Sequence, residues 1–292
     1  MTDYENAIEI QGLTKKYDGF TLDNISFNVP KGSIMGFIGQ NGAGKTTTIR
    51  SLLNIIKTDS GNIKLLGMDH IKDEYEIKEH ISAVFDELPF HDDLNAKTLS
   101  YVMKSIYKDW DNAKFKEYLE RFALPEKKKF GKFSKGMKMK LQIAAALSHN
   151  ARLLVMDEAT TGLDPVVRNE ILDIFLEYLQ DENNSILMSS HITTDLEKVA
   201  DSVTFIDKGK LLITGYKDDI LESHGVIKCT KKDYGDIDPS DILSARISDF
   251  GVSAMVSDKA SAMRKYSGLV IDNTTLEEIM LFYVNASKKE WT

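Results

Sequence analysis

The residues best suited to chemistry in this chain are Gly39, Gln40, Asn41, Gly42, Ala43, Gly44, Lys45 and Thr46, which fit the pattern G-x-x-x-x-G-K-[ST] and are followed by Thr47. Glycines at this spacing let the backbone wrap closely, so that its N–H groups converge on phosphate oxygens. The Lys45 ammonium then reaches the β and γ phosphates, and the Thr46 hydroxyl ligates Mg²⁺. Such a string arises by chance in roughly one chain in a hundred of this length. It lies between a short apolar run, SIMGFIG, and TTTIRSLLNII, whose Ile49, Leu52, Leu53 and Ile56 fall at helical spacing. Strand, glycine loop and helix are the context the motif requires, and the helix N-terminus adds a favourable dipole for an anion. A nucleoside triphosphate with Mg²⁺ is the ligand these residues imply.

A second set of reactive groups lies far downstream. Leu153, Leu154, Val155 and Met156 read as a buried strand that ends in Asp157 and Glu158, delivering two carboxylates to the edge where open α/β sheets bind ligands. Asp157 suits Mg²⁺, directly or through water. Glu158 suits the water that attacks the γ phosphate, orienting it and taking up its proton. Alone, an acidic pair after an apolar strand is more often a solvated strand end; beside a phosphate loop, it reads as the second half of the site.

The elements that must position these groups follow from periodicity. Residues 8–29 alternate apolar and polar in two runs joined near Asp18 and Gly19, as antiparallel strands do. From about residue 88 to 150 the pattern is helical, with Tyr101, Val102, Ile106, Phe115, Tyr118, Leu119 and Phe122 spaced to form inward faces, interrupted by a basic stretch at 126–132. An inserted helical subdomain is expected there. Beyond it, RLLVMDE predicts a buried strand, residues 165–179 a helix, SILMSSH another buried strand, and SVTFIDKGKLLITG a hairpin turning at Lys208 and Gly209. Strands alternating with helices imply an α/β fold with a mostly parallel sheet. After Tyr216 the composition shifts to short β-like runs, VIKCT and GLVIDN, and a final helix, TLEEIMLFYV, with no recognisable chemical motif.

Composition excludes several classes of function. Of 292 residues, 42% are hydrophobic and 28% charged, the profile of a globular chain able to bury a core. The longest stretch free of Asp, Glu, Lys and Arg runs 13 residues, from Gly32 to Gly44, short of the ~20 apolar residues a membrane helix needs. The opening MTDYENAIEI lacks the apolar core of a secretory signal, so a cytoplasmic location is expected. Cys229 is the only cysteine, which rules out an internal disulfide. A net charge of -8 disfavours nucleic acid as a partner.

Phe133, Ser134, Lys135, Gly136 and Met137, placed so that Ser134 precedes Asp157 by 23 residues, resemble the signature motif of ABC ATPases. Over residues 7–216 the chain is similar to the ATP-binding subunit of an ABC transporter. The resemblance implies further roles. Tyr17 would stack on adenine, Thr161 to Asp164 would form the D-loop at a dimer interface, and His191 would be the switch histidine at the γ phosphate. Each has a plainer alternative: Tyr17 as a strand aromatic, Asp164 and Ser134 as helix N-caps, His191 as a structural or solvated strand-end histidine. By the resemblance, two subunits, identical or different, close around two ATP molecules. Each ATP would lie between the glycine loop of one subunit and Ser134 and Gly136 of the other, with Lys45, Glu158 and His191 acting in catalysis, and hydrolysis would reopen the pair.

Two departures from the family pattern stand out. The usual signature L-S-G-G-Q carries Lys135 for its first glycine and Met137 for its glutamine, as in the branch serving bacterial drug and antibiotic exporters. The expected Q-loop glutamine after ISAVF is Asp86, which suits either a contact to a metal-bound water or a solvated loop acid. The chain would drive export through separate membrane subunits, held peripherally at the inner membrane face at the cleft between Asp86 and residues 94–107. A soluble ATPase acting on ribosomes or DNA is the rival reading. The resemblance also implies an ATPase domain over residues 1–216 and a small accessory domain over 217–292.

Overall fold

The computed structural model describes residues 4–87 and 89–288; residue 88, the expected start of the helical insert, lies outside them. The chain opens with a hairpin of β1 (Asn6–Tyr17) and β2 (Phe20–Pro30), in which Tyr17 pairs with Phe20. β3 (Ile34–Ile38) then runs into the glycine loop and α1 (Lys45–Leu52). The helix is shorter than its periodicity suggests. Asn54 adopts a left-handed φ of 53°, and the N–H groups of Ile55 and Ile56 turn back to the Arg50 carbonyl at 2.9 and 3.3 Å, so that Ile56 lies beyond the helix end.

Three elements follow that periodicity did not announce: β4 (Ser60–Leu65), β5 (Met68–Asp69) and α2 (Glu74–His80). The two strands complete an antiparallel sheet of order β2-β1-β4-β5. β6 (Ile81–Phe85) precedes the helical region of α3 (Ala96–Ile106), α4 (Asn112–Arg121) and α5 (Lys135–Ala146). Next come β7 (Leu153–Asp157), α6 (Pro165–Tyr178), β8 (Ser185–Ser190), α7 (Thr193–Val199), β9 (Ser202–Asp207) and β10 (Lys210–Tyr216). The central sheet has the order β10-β9-β3-β8-β7-β6, parallel except for β10.

Both faces of this sheet are covered. Met35, Phe37, Leu153, Val155 and Leu187 pack toward α1 and the antiparallel sheet, whereas Ile34, Ile38, Leu154, Met156 and Ile186 pack toward the helices of the other side. Double burial explains why the central strands read as unbroken apolar runs. In the helical region Phe115, Leu119 and Phe122 are buried as their spacing suggests and Tyr118 is partly so, but Tyr101, Val102 and Ile106 face outward, Tyr101 at 80% exposure. The buried face of α3 is instead Ala96, Leu99 and Ser100; the Ser100 hydroxyl donates to Asn112 Oδ1 at 2.6 Å and accepts from Trp110 Nε1 at 3.1 Å. Ala96 and Ser100 let α3 lie close to its neighbours around Leu99, with Tyr101, Val102 and Ile106 left outside.

The C-terminal region comprises α8 (Lys217–Ser223), β11 (Gly225–Cys229), α9 (Lys231–Tyr234), β12 (Ser244–Ser248), β13 (Gly251–Val256), α10 (Lys259–Lys265), β14 (Val270–Asp272) and α11 (Leu276–Lys288). Its antiparallel sheet, of order β12-β13-β11-β14, has a small core of its own on one face, built on Ile227, Val252 and Ala254. On the other side Leu276, Ile279, Met280 and Val284 of α11 join the main core beside Leu196 and Val199 of α7. The α11 N-terminus is capped from α7, where Glu197 Oε1 accepts from the Leu276 N–H at 2.7 Å.

Candidate functional site

The glycine loop is shaped by what a side chain would strike. A Cβ on Gly39 would lie 2.5 Å from the Ile206 carbonyl oxygen, so that only glycine fits where β3 turns under β9. Gly44 precedes α1 with φ 115°, a conformation other residues rarely adopt. The loop is tied to the rest of the chain through Gly209, whose N–H donates to the Ala43 carbonyl at 2.8 Å and whose carbonyl accepts from the Asp23 N–H at 2.8 Å. The loop, Thr46, Thr47, Phe20 and Glu158 bound a cleft of about 380 Å³.

Lys45 is nearly fully buried. Its Nζ donates to the Gly39 carbonyl at 2.7 Å and the Gln40 carbonyl at 3.3 Å, and lies 2.9 Å from Glu158 Oε1. The other oxygen of Glu158 accepts from the Thr161 hydroxyl at 2.7 Å and lies 2.7 Å from His191 Nδ1. Burial alone would raise the Glu158 pKa; hydrogen bonding by Lys45 and Thr161 and the charges of Lys45 and His191 outweigh it and hold the carboxyl below its ordinary value. The Glu158 backbone has φ 55°, left-handed for a non-glycine residue, a conformation that costs energy and turns the side chain back over the loop.

Ser189, on the neighbouring strand, serves both acids. Its Oγ donates to Asp157 Oδ1 at 2.7 Å and accepts from the Glu158 N–H at 3.1 Å, as the register pairing Asp157 with Ser189 allows. Asp157 retains its second oxygen for another partner. A carboxylate and the Thr46 hydroxyl are hard oxygen donors of the kind Mg²⁺ takes while keeping several waters and phosphate oxygens, so the residues present fit that ion.

The structure thus brings together the glycine loop, Lys45, Thr46, Thr47, Asp157, Glu158 and His191. It does not bring Tyr17, Asp86, Ser134, Gly136 or Asp164 to the cleft. Tyr17 stands partly exposed at the hairpin end, while its cross-strand partner Phe20 lines the cleft. Asp164 caps α6, accepting from the Val166 and Val167 N–H groups at 3.1 and 3.0 Å ahead of Pro165, and Ser134 caps α5, accepting from the Met137 N–H at 3.2 Å. Asp86 pairs with Lys135. Sequence reasoning missed Phe20, Thr161 as a ligand of Glu158, and Ser189. Only Thr161, three residues past Glu158, carried a local signal; the other two are placed by strand pairing.

Comparison with known proteins points the same way. The family described as ABC transporter matches residues 22–161. The bacitracin transport ATP-binding protein BcrA of Bacillus licheniformis is 39% identical over 208 residues, covering 70% of this chain and 68% of that protein. The linearmycin resistance ATP-binding protein LnrL of Bacillus subtilis (strain 168) is 34% identical over 224 residues, covering 75% of this chain and 72% of that protein. A solved ATP-binding subunit of an ABC transporter matches with a TM-score of 0.67 at 25% identity, over 74% of this chain and 92% of that one.

Proposed function

The chain belongs to the ATP-binding proteins of ABC transporters, and on that premise we propose that it closes with a second ATPase subunit, identical or related, around two ATP molecules with Mg²⁺ to drive export. It is the ATP-binding subunit, and it couples ATP hydrolysis to transport. The names of its relatives, bacitracin transport and linearmycin resistance, favour an antibiotic-like cargo moved outward.

In this reading the phosphates of ATP lie in the glycine loop against α1, with Tyr17 toward the base and Asp164 toward the partner. Thr46 and Asp157 would hold Mg²⁺, which would supply charge neutralisation at the phosphates, while Asp86 stays paired with Lys135 beside the site. The second subunit presents Ser134 and Gly136, with the N-terminus of its α5, to the γ phosphate. Entry of the phosphates draws Lys45 away from Glu158. Without that cation beside it, the Glu158 carboxylate becomes more basic and accepts the proton of the attacking water. His191, still at Glu158, orients it and senses the γ phosphate. Loss of that phosphate removes the contacts that favoured closure, and the population shifts back to the open state.

The observation that carries this reading is the convergence of Lys45, Thr161 and His191 on one carboxylate at the mouth of the phosphate loop. Replacing Glu158→Gln is expected to retain ATP binding, lower phosphate release by about 10²- to 10⁴-fold, and accumulate an ATP-bound dimer on a sizing column. A monomer with normal hydrolysis would overturn it.

Among the described residues no helix is long and apolar enough to cross a membrane; in this reading the motion passes to separate membrane subunits. We place that contact at a groove of about 480 Å³ between the end of α1, α2 and α3, where Ile55, Tyr75 and Ile106 are exposed. Through it the chain would sit peripherally on the cytoplasmic face of the membrane. The division into residues 1–216 and 217–292 is kept as the functional one, with the C-terminal part resting on α7.

A further inference from the structure

The two positions at which this chain departs from its family pattern touch each other. Asp86 Oδ1 lies 2.5 Å from Lys135 Nζ. Lys135 opens a face of α5 that is turned to the loop after β6. Lys138 Nζ lies 3.5 Å from Asp92 Oδ1, and Gln142 clamps the Phe85 backbone, accepting from its N–H at 3.2 Å and donating to its carbonyl at 3.0 Å. Positions 135, 138 and 142 share one side of a helix.

The strand register gives this pair its bearing on the nucleotide. Phe85 pairs with Asp157, so Asp86 follows β6 as Glu158 follows β7, and is a third carboxylate at the same end of the sheet, beside the cleft rather than in it. A Cβ on Gly162 would lie 3.3 Å from Lys135 Nζ, which places the ammonium between the loop after β6 and the loop after β7. Both partners are nearly half exposed, at 43% and 45%, and an exposed pair adds little to stability. Its effect is a placement of charge.

We propose that Lys135 is a positioning residue of the nucleotide site, whose ammonium holds and neutralises Asp86 so that this carboxylate does not repel the entering phosphates. The inference rests on the reading that ATP binds at the glycine loop. Because Lys135 also begins the helix offered to the second subunit, the same pair joins the loop facing one nucleotide to the helix facing the other.

The test is a double-mutant cycle on the full-length chain, reading KM for ATP and kcat separately by phosphate release. Lys135→Gln, which leaves Asp86 unpaired, is expected to raise KM about three- to tenfold with a smaller change in kcat. Adding Asp86→Asn should bring KM back near the parent value, and Lys135→Arg, which keeps the charge, should recover most of the loss. Raising salt from about 0.05 M to about 0.5 M should shrink the Lys135→Gln defect as the screening length falls to a few ångströms. An unchanged KM in Lys135→Gln overturns the proposal, as does a KM defect that Asp86→Asn fails to relieve, which would mark Lys135 as structural. If the parent chain itself takes up no ATP, it is the underlying reading that fails.

Discussion

Glu158 is the residue on which most of the site depends, and its left-handed backbone shows that the fold bears a local cost to aim it. Ser189 supports that placement. Replacing Ser189→Ala leaves Asp157 Oδ1 without its donor, while the Glu158 N–H keeps the residue 189 carbonyl at 3.2 Å, and is expected to cost about 1–3 kcal/mol in urea unfolding and to weaken Mg²⁺ dependence. Acid acts on two of these residues with the same sign. The Glu158 carboxyl is held below its ordinary value, so the stability of its ion pairs is complete above that value and is lost as pH falls through the depressed one. Burial holds His149, which stacks on Tyr107 and lies with its Nε2 2.6 Å from the Ser82 hydroxyl, down to about 4. Its unfolded form takes up a proton first, so stability should fall between pH 6.5 and 4, by at most ~3 kcal/mol. A His149→Phe variant, followed by denaturant titration across that range, should show a shallower slope, the remainder coming from groups such as His224, which burial also holds down. The glycine loop and Lys45 were legible because their chemistry is contiguous in sequence. Ser189 and Phe20 were not, because their neighbours are chosen by pairing between strands.

At the scale of elements, the strands were easier to read than the helices. Unbroken apolar runs mark β3, β7 and β8 because both faces of the sheet are covered. α3 misled, since its inner face mixes the small Ala96 and Ser100 with Leu99, while Tyr101, Val102 and Ile106 point out. That outward face gives a direct prediction: Ile106→Asp should leave ATP hydrolysis by the isolated chain unchanged and abolish co-purification with the membrane subunits. Gln142 belongs to this scale because it fastens the end of β6 to α5. Nothing in its sequence neighbourhood marks it, since a glutamine within a helix is ordinarily solvated. The short α2, β4 and β5 escaped for a similar reason, being fewer than eight residues each and too brief to show a period.

At the scale of the whole molecule, the C-terminal region is the part least legible in advance. Two of its strands, β11 and β14, and its final helix could be anticipated, but not β12 and β13, nor the return of α11 to the main core, which is set by contacts across 79 residues, from Glu197 to Leu276. Ile279→Ala should cost about 2–5 kcal/mol, seen as a lower thermal midpoint, although the position lies outside the ATPase motifs. Deleting the region from residue 225 should leave nucleotide binding intact while lowering that midpoint, because Leu196 and Val199 lose their cover. Gly209 bears on all three layers of the ATPase part, since it joins the hairpin sheet, the central sheet and the glycine loop, and a Cβ there would lie 1.9 Å from the Thr21 carbonyl oxygen. In a saturation screen for lost turnover, position 209 would therefore score beside Lys45 and Glu158, and a reader of such a map would mistake a keystone for a reagent.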